Sequence, residues 1–264
     1  MNYFLKPFIS CGVALSYARH VEDQSFLRST FSFIDEQDRV YYAEAPVRKA
    51  ELQESELSTH LRPVNDECIY PKAQSSFTIA LRSKYRDCYL KRPKLALFSP
   101  SEDDVTVPTL LREEAETMEF LRKRPHPNIA RYHGCSVRRG YVVGLLLERH
   151  EATLEDAIKA NEDNHDKVKW IADIESGIEH LHTLGLAHND LNPTNIMIDK
   201  HGRAIIIDFG SCKPFGAMLI TAGTPGWVDD EDFATSERSH DEIALKKLKT
   251  WLNTDRTTLA SSCL

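Results

Sequence analysis

The spacing of three polar residues in the second half of the chain constrains its fold more than any other feature. Asn195 lies five positions after Asp190, and Asp208 follows thirteen positions after Asn195. Apolar runs at 196–198 and 204–207 flank a short polar turn, a pattern that predicts a β-hairpin holding Asn195 and Asp208 near each other. A polar hairpin with Asx turns and no chemistry is the alternative interpretation.

The residues around this hairpin resemble the catalytic loop and metal-binding motif of the protein kinases. The matching segments are His188-Asn189-Asp190, Asn195 and Asp208-Phe209-Gly210, with the spacing that the kinase pattern requires. The resemblance implies that Asp190 and Asn195 are catalytic, with Asp190 near the attacking hydroxyl. It also implies that Asn195 and Asp208 bind Mg²⁺, which prefers hard oxygen ligands. ATP and Mg²⁺ are the implied cofactors.

The same resemblance assigns nucleotide-binding residues in the first half of the chain. Lys91 ends a strand-like run and matches the strand lysine that holds the α- and β-phosphates, with Lys94 as a rival. Glu116 matches the helix glutamate that pairs with that lysine, and Glu113 or Glu119 are alternatives.

A polar break at 148–150 follows the apolar run 141–147 and is typical of a hinge between two lobes. Glu148 is the residue of this break that we expect at the nucleotide.

The hydrophobic pattern predicts both strands and helices. The resemblance to the protein kinases implies an α+β, bilobal, kinase-like fold with a small antiparallel sheet and one key helix in the first lobe and a shortened, mainly helical second lobe. The expected division is an extension of unknown role at 1–60, a first lobe at 61–148 and a second lobe at 149–264. The predicted elements are a hairpin at 31–34 and 40–42, antiparallel strands at 77–81 and 88–91, a helix at 109–122, a buried strand at 141–147 and a helix at 167–184.

The predicted helix at 109–122 carries an apolar stripe on one face and acidic residues elsewhere. Leu111, Ala115, Met118 and the pair 120–121 form the stripe, which predicts a buried face. The acidic residues Glu113, Glu114 and Glu119 are expected to face water.

Several positions depart from the kinase pattern. No glycine lies between Gly12 and Gly134, so the glycine-rich loop expected near 71–76 is absent and weaker nucleotide binding is predicted. Asn189 replaces the arginine that pairs with a phosphorylated activation segment, which predicts activity without that control. Asn192 replaces a lysine near the transferred phosphate, removing one cation from the site.

Near the C-terminal end the resemblance continues in two segments. The run 223–227, Gly-Thr-Pro-Gly-Trp, is similar to the end of a kinase activation segment, and 241–245 is similar to the start of the next core helix. The Ala-Pro-Glu signature is replaced at 228–230.

Charge and hydropathy exclude some classes of function. The net charge of −7 predicts no nucleic-acid partner, and the absence of a long apolar run predicts no membrane partner. We expect an intracellular protein of the cytoplasm, with the nucleus as a second location. His180, His182 and His188 are not expected to bind zinc, because His180 and His182 point apart and His188 packs in the core.

Three functions remain open from the sequence. The first is an ATP-dependent kinase that phosphorylates serine or threonine of a protein substrate. The second is a pseudokinase that binds partners without turnover, for which the missing glycines argue. The third is a small-molecule kinase, because His-Asn-Asp without the arginine also resembles choline-kinase-like and aminoglycoside-kinase-like enzymes.

Overall fold

The structure is a computed structural model that describes residues 14–19, 26–46, 48, 61–81, 85–100, 104–160, 166–221, 223–228 and 234–253. The chain divides into two compact units. The first takes its residues from 1–80, 90–112 and 135–145, and the second from 81–89, 113–134 and 146–264. Antiparallel sheets and helices occur together, which confirms the α+β prediction. The predicted lobe boundaries stay a prediction.

The first unit contains a four-stranded antiparallel sheet with the strand order β1-β2-β3-β4. Its strands are β1 (Ala14–Arg19), β2 (Phe26–Ile34), β3 (Val40–Ala45) and β4 (Arg62–Val64). Phe33 pairs with Tyr41 and Ile34 with Val40, which confirms the predicted hairpin. All side chains from 31 to 34 are buried, so both faces of this part of β2 are covered.

A second sheet has the order β5-β7-β6. It is formed by β5 (Cys88–Lys91), β6 (Tyr132–Arg138) and β7 (Tyr141–Glu148), which confirms the predicted buried strand at 141–147. The turn between β6 and β7 consists of Arg139 and Gly140, both with positive φ (51° and 83°). Two residues in this conformation suit the twist of a two-residue hairpin.

The predicted pairing of 77–81 with 88–91 is wrong. Cys135 of β6 donates its N–H to the Thr78 carbonyl (2.7 Å) and accepts from the Ala80 N–H (2.9 Å), and Ile79 forms a parallel bridge with Cys135. Segment 77–81 therefore lies alongside β6, and the sheet neighbour of β5 is β7. The true partner lies far along the chain, where a hairpin pattern gives no signal.

Among the described residues, two α-helices precede β6: the single turn α1 (Asp66–Ile69) and the long helix α2 (Thr106–Arg122). Helix α2 begins three residues before the predicted start at Thr109. Pro108 is tolerated there because the first helical turn has no internal partner for its N–H groups. The Asp104 carboxylate accepts the Thr106 N–H (2.9 Å), and hydrogen bonds from Thr106 lower the pKa of Asp104.

Three side chains of α2 differ from the prediction in their exposure to water. Phe120, expected in the buried stripe, is 36% exposed. Glu114 and Glu119, expected in water, are 5% and 8% exposed. Glu119 is buried because its carboxylate accepts the Tyr132 hydroxyl (3.1 Å), and Glu114 has a partner described below. Buried carboxylates require such donors.

The second unit continues with short strands and longer helices. Helix α4 confirms the predicted helix at 167–184; it begins after Asp166, whose side chain accepts the Lys169 N–H, and ends before Gly185 at φ 75°. The elements are β8 (Ala152–Thr153), α3 (Leu154–Lys159), α4 (Lys167–Thr183), β9 (Leu186–Ala187), β10 (Ile196–Ile198), β11 (Ala204–Ile206), β12 (Lys213–Pro214) and α5 (Arg238–Asn253).

These strands form two small antiparallel sheets, β11-β10-β8 and β12-β9. Met197 pairs with Ile205 in the β10–β11 hairpin, as the sequence predicted. Gly177 of α4 lies against β11, because a Cβ atom at that position would be 2.7 Å from the Ile206 Cδ1 atom. Among the described residues, no helix combines the length and apolar composition that crossing a bilayer requires.

Candidate active site

The Asp190 carboxylate is oriented by four hydrogen bonds from three residues. Its Oδ1 atom accepts the Thr224 N–H (2.9 Å), the Thr224 hydroxyl (2.7 Å) and the Asn192 amide (3.2 Å). Its Oδ2 atom accepts the Asn195 amide (3.0 Å). Asn192 also donates to the Thr224 hydroxyl (3.1 Å), so the replacement for the expected lysine joins two segments by neutral hydrogen bonds.

Asn195 lies at the end of a 3-10 turn, Pro193–Asn195, and is 8% exposed. Its side-chain nitrogen donates to both the carbonyl (2.8 Å) and the carboxylate of Asp190. Because the nitrogen is used in this way, the amide oxygen is the group left to accept from a cation or donor. The Asn195 carbonyl accepts the Ile207 N–H (2.9 Å), which fixes Asn195 next to the residue preceding Asp208.

Asp208 has a backbone conformation that is unusual for a residue with a side chain. Its φ and ψ angles are 59° and 79°, in the left-handed region, and its carboxylate accepts the Gly210 N–H (3.2 Å). Such a conformation costs free energy and persists where the surrounding structure imposes it, commonly at functional sites. The buried Phe209 ring, which packs edge-on against His188 at 5.3 Å, anchors the segment.

Glu114 of α2 contacts this motif directly, and the sequence prediction missed it. Its carboxylate accepts the Phe209 N–H (3.1 Å) in a buried environment. Glu113 forms an ion pair with Lys213, and Glu116 is exposed on the same helix. Nothing near Glu114 in the sequence signals this contact, because its partner is the Phe209 N–H, 95 positions along the chain. The pairing of Glu116 with Lys91 stays a prediction.

Asp241 of α5 binds the loop that contains His188 and Asn189. Sequence similarity placed Asp241 at the start of a core helix but gave it no role. Its buried carboxylate accepts the backbone N–H groups of His188 (2.8 Å) and Asn189 (2.9 Å) and contacts the His182 Nε2 atom (2.9 Å). The side chain is fully inaccessible to water. A buried carboxylate is retained only with such partners, so Asp241 and the loop fix each other.

Asn189 joins three segments around the same loop. Its backbone is left-handed (φ 62°), and its amide nitrogen donates to the carbonyls of Ala187 (3.0 Å) and Ser211 (2.9 Å) and to the Ser236 hydroxyl (2.9 Å). Its amide oxygen contacts the His240 Nδ1 atom (3.0 Å). Neutral hydrogen bonds thus replace the charged pairing that an arginine would make.

The three histidines considered for zinc have separate surroundings. His180 stacks on His126 with ring centroids 4.7 Å apart, and His182 contacts Asp241. His188 is buried with its Nε2 atom 2.9 Å from the Ile207 carbonyl oxygen. Within the described residues, no group of three or more potential ligands is suited to hold a metal ion through His, Cys, Asp or Glu side chains.

Lys91 and Glu148 are the last residues of β5 and β7. The Lys91 carbonyl lies close to the backbone of Gly144, where a Cβ atom would be only 2.6 Å from that oxygen. Glu148 is exposed, and its N–H donates to the Arg131 carbonyl (2.8 Å). Their roles at a nucleotide stay predictions.

The family model of the protein kinase domain matches residues 97–244, which is more than half of the chain. The chain therefore belongs to the protein kinase domain family. Its small antiparallel sheets and helices fit the α+β kinase-like fold that the sequence predicted.

Several protein kinases are similar to part of this chain, over 42–56% of its length in the three described next. A dual serine/threonine and tyrosine protein kinase of Strongylocentrotus purpuratus is 37% identical over 128 residues, 44% of this chain and 13% of that protein. The serine/threonine-protein kinase/endoribonuclease IRE1 of Hypocrea jecorina is 37% identical over 132 residues, 42% and 10% of the two chains. The serine/threonine-protein kinase Tao of Drosophila melanogaster is 28% identical over 150 residues, 56% and 14%. The chain thus spans only a small fraction of each relative.

Proposed function

We propose that this chain is an ATP-dependent protein kinase that transfers the γ-phosphate of Mg-ATP to a serine or threonine hydroxyl of a protein substrate. The observation that carries the proposal is the Asp190 carboxylate, which four hydrogen bonds orient beside Asn195. Phosphoryl transfer needs mainly positioning and electrostatic stabilisation, and this arrangement supplies positioning.

Asp190 is the residue that would accept the proton of the acceptor hydroxyl. Within the described residues its Oδ2 atom accepts one hydrogen bond, from Asn195, so a second lone pair is open to the hydroxyl. The hydroxyl oxygen forms a bond to the γ-phosphorus, the bond between that phosphorus and the β,γ-bridging oxygen breaks, and ADP leaves. The proton passes to Asp190.

Asn195 and Asp208 fit a magnesium ion. Because the Asn195 nitrogen donates to Asp190, its amide oxygen is the group that would bind the ion, and Asp208 contributes a carboxylate from a backbone held in the left-handed region. Hard oxygen donors in small number suit Mg²⁺, which keeps its other positions for water and phosphate. When bound, the ion neutralises charge on the phosphates.

Lys91 and Glu148 are the further residues that we propose to contact the nucleotide, with Lys91 acting on the α- and β-phosphates as a point charge. The helix glutamate that supports them is Glu114 or Glu116. Burial of Glu114 and its hydrogen bond to the Phe209 N–H favour Glu114 over Glu116, whose side chain is exposed.

Activity without phosphorylation of the activation segment is part of the proposal. The Asn189 amide already links the catalytic loop, the segment after Asp208 and the residues before α5 through uncharged groups. A phosphate would find no arginine at position 189 with which to pair.

A pseudokinase is the second candidate, and one observation favours it. The segment at 71–76 lacks glycine, and its backbone is paired with the β6–β7 turn, through the Ala73 N–H to the Gly140 carbonyl (2.9 Å) and the Val142 N–H to the Pro71 carbonyl (2.9 Å). The Ala73 N–H, used in this way, is not available to a phosphate. A small-molecule kinase is the remaining alternative.

Phosphotransfer from labelled Mg-ATP to a panel of protein acceptors tests the proposal. Asp190→Ala should lower the rate about 10²–10⁴-fold, or about 3–5 kcal/mol of barrier, as loss of a positioned proton acceptor does. Glu155→Ala, which removes a partly exposed acid of α3, is the control and should leave the rate unchanged. An equal rate in the Asp190→Ala variant and the native chain would refute the role of Asp190.

A further inference from the structure

The turn between β2 and β3 contains a buried charge. Asp38 has a left-handed backbone (φ 62°), and its side chain is only 7% exposed. Its Oδ1 atom accepts from the Arg92 guanidinium, and its Oδ2 atom lies 3.4 Å from the Arg138 Nε atom. A carboxylate is costly to bury without cations or donors, so these two arginines determine where the turn can lie.

Arg139 attaches the same turn to the second sheet. Its guanidinium donates to the carbonyls of Gln37 (2.6 Å) and Asp38 (2.9 Å) and makes a bidentate pair with Asp66 (2.7 and 2.8 Å). The hydrogen bond from Arg139 lowers the pKa of the Asp66 carboxyl. Planar, bidentate pairs of this kind restrict orientation as well as distance. Arginines therefore bind the β2–β3 turn both at the Asp38 side chain and at the backbone carbonyls of Gln37 and Asp38.

One of the arginines that bind Asp38 is next in sequence to Lys91, the lysine predicted to bind the nucleotide. Arg92 follows Lys91, whose carbonyl is held closely against Gly144 of β7. The first sheet also contacts the segment beyond Arg92, because the Tyr42 ring packs edge-on against Phe98 at a centroid distance of 5.2 Å. Lys91 is thus restrained on one side by β7 and, through its neighbour, by Asp38.

We propose that Asp38 is a positioning residue for Lys91, so that the first sheet is a working part of the nucleotide-binding apparatus and not an independent extension. The inference rests on the proposed function, in which Lys91 binds phosphate. In a chain without a glycine-rich loop, a larger share of phosphate binding falls on this lysine, and its placement matters correspondingly more.

The affinity of the full chain for Mg-ATP, measured by calorimetry below the unfolding temperature, tests this inference. Asp38→Asn, which removes the charge at nearly constant shape, should weaken binding about tenfold, a loss typical of a broken charged hydrogen bond. Glu36→Gln is the matched control, because Glu36 is an exposed acid of the same turn, and it should change the affinity less than twofold.

A double-mutant cycle separates positioning of Lys91 from general destabilisation. If Asp38 acts through Lys91, adding Asp38→Asn to a Lys91→Arg variant should cost little further affinity. Full additivity of the two losses, or native affinity in Asp38→Asn, would overturn the inference while leaving the proposed function intact. Failure of the native chain to bind Mg-ATP would instead overturn the proposed function and this inference with it.

Arg92→Lys replaces Asp38→Asn if that variant does not fold. It keeps the cation but loses the planar guanidinium, so a smaller loss of Mg-ATP affinity, again absent in the Lys91→Arg background, is expected. Native affinity in a folded Arg92→Lys variant would count against the inference.

Discussion

The catalytic loop and the first sheet hold their buried or half-buried carboxylates by different means. Asp190 receives donors from Asn192 and Asn195, two and five positions away, and from Thr224, 34 positions away. Asp38 is fixed by Arg92, 54 positions away, and by the distant Arg138. The first arrangement uses neutral donors, of which Asn192 and Asn195 are close in sequence, and the second uses charged partners brought together by the fold. Chemistry that depends on local spacing can be recognised in a sequence, whereas attachment through distant ion pairs cannot.

The largest expected effect is on the stability of the loop's support. Asp241→Ala would leave the N–H groups of His188 and Asn189 without their acceptor in a site that water does not reach. Removing one partner of a buried charged network typically costs about 3–5 kcal/mol of unfolding free energy. Urea unfolding measures this loss.

Glu242→Gln is the control for Asp241→Ala, since it alters an exposed acid on the next position of α5. Exposed ion pairs contribute about 0–1 kcal/mol, so the control should unfold almost as the native chain does. Similar stability of both variants would show that the catalytic loop does not depend on Asp241.

A smaller effect distinguishes the two candidate helix glutamates. Glu114→Gln should raise the KM for ATP about tenfold, because a charged hydrogen bond to the Phe209 segment is lost in a buried site. Glu116→Gln, on the exposed side of the same helix, should change KM less than twofold. Steady-state kinetics with varied ATP measures both.

The reverse order of these two effects would restore Glu116 as the residue that supports Lys91 and would reduce the Glu114 contact to a structural one. Equal effects in both variants would mean that neither hydrogen bonding nor exposure decides the assignment.

The smallest expected effect is that of phosphatase treatment. Because Asn189 makes only uncharged contacts with Ser211 and Ser236, dephosphorylated protein should keep its rate within about twofold. Phosphotransfer before and after treatment with a broad-specificity phosphatase measures the change. A loss of tenfold or more would show that a phosphate orders the site by another route.

The β10–β11 hairpin was predictable because the sequence pattern that indicates it lies within a few residues. Asn195 and Asp208 flank two short strands joined by a tight turn, and the Ile207 N–H to Asn195 carbonyl bond follows from that hairpin. The hairpin of β2 and β3 was predictable for the same reason, since its turn residues lie between two alternating apolar runs.

Glu114 and segment 77–81 show why the rest was not predictable. An acidic residue on a helix normally faces water, whereas the buried Glu114 carboxylate accepts the Phe209 N–H from 95 positions away. Segment 77–81 likewise follows β6 through Cys135, and nothing near it in sequence identifies that strand. In both cases the deciding partner is distant along the chain.

Thermal unfolding with and without Mg-ATP tests the central claim, that Asn195 and Asp208 form a magnesium–nucleotide site. Ligand at one hundred times its dissociation constant adds about 2.7 kcal/mol to the unfolding free energy and should raise the Tm by about 5 °C or more. We expect this rise in Tm to require magnesium and to be lost in Asp208→Ala. An unchanged Tm at millimolar Mg-ATP, or an equal rise in Asp208→Ala, would contradict it.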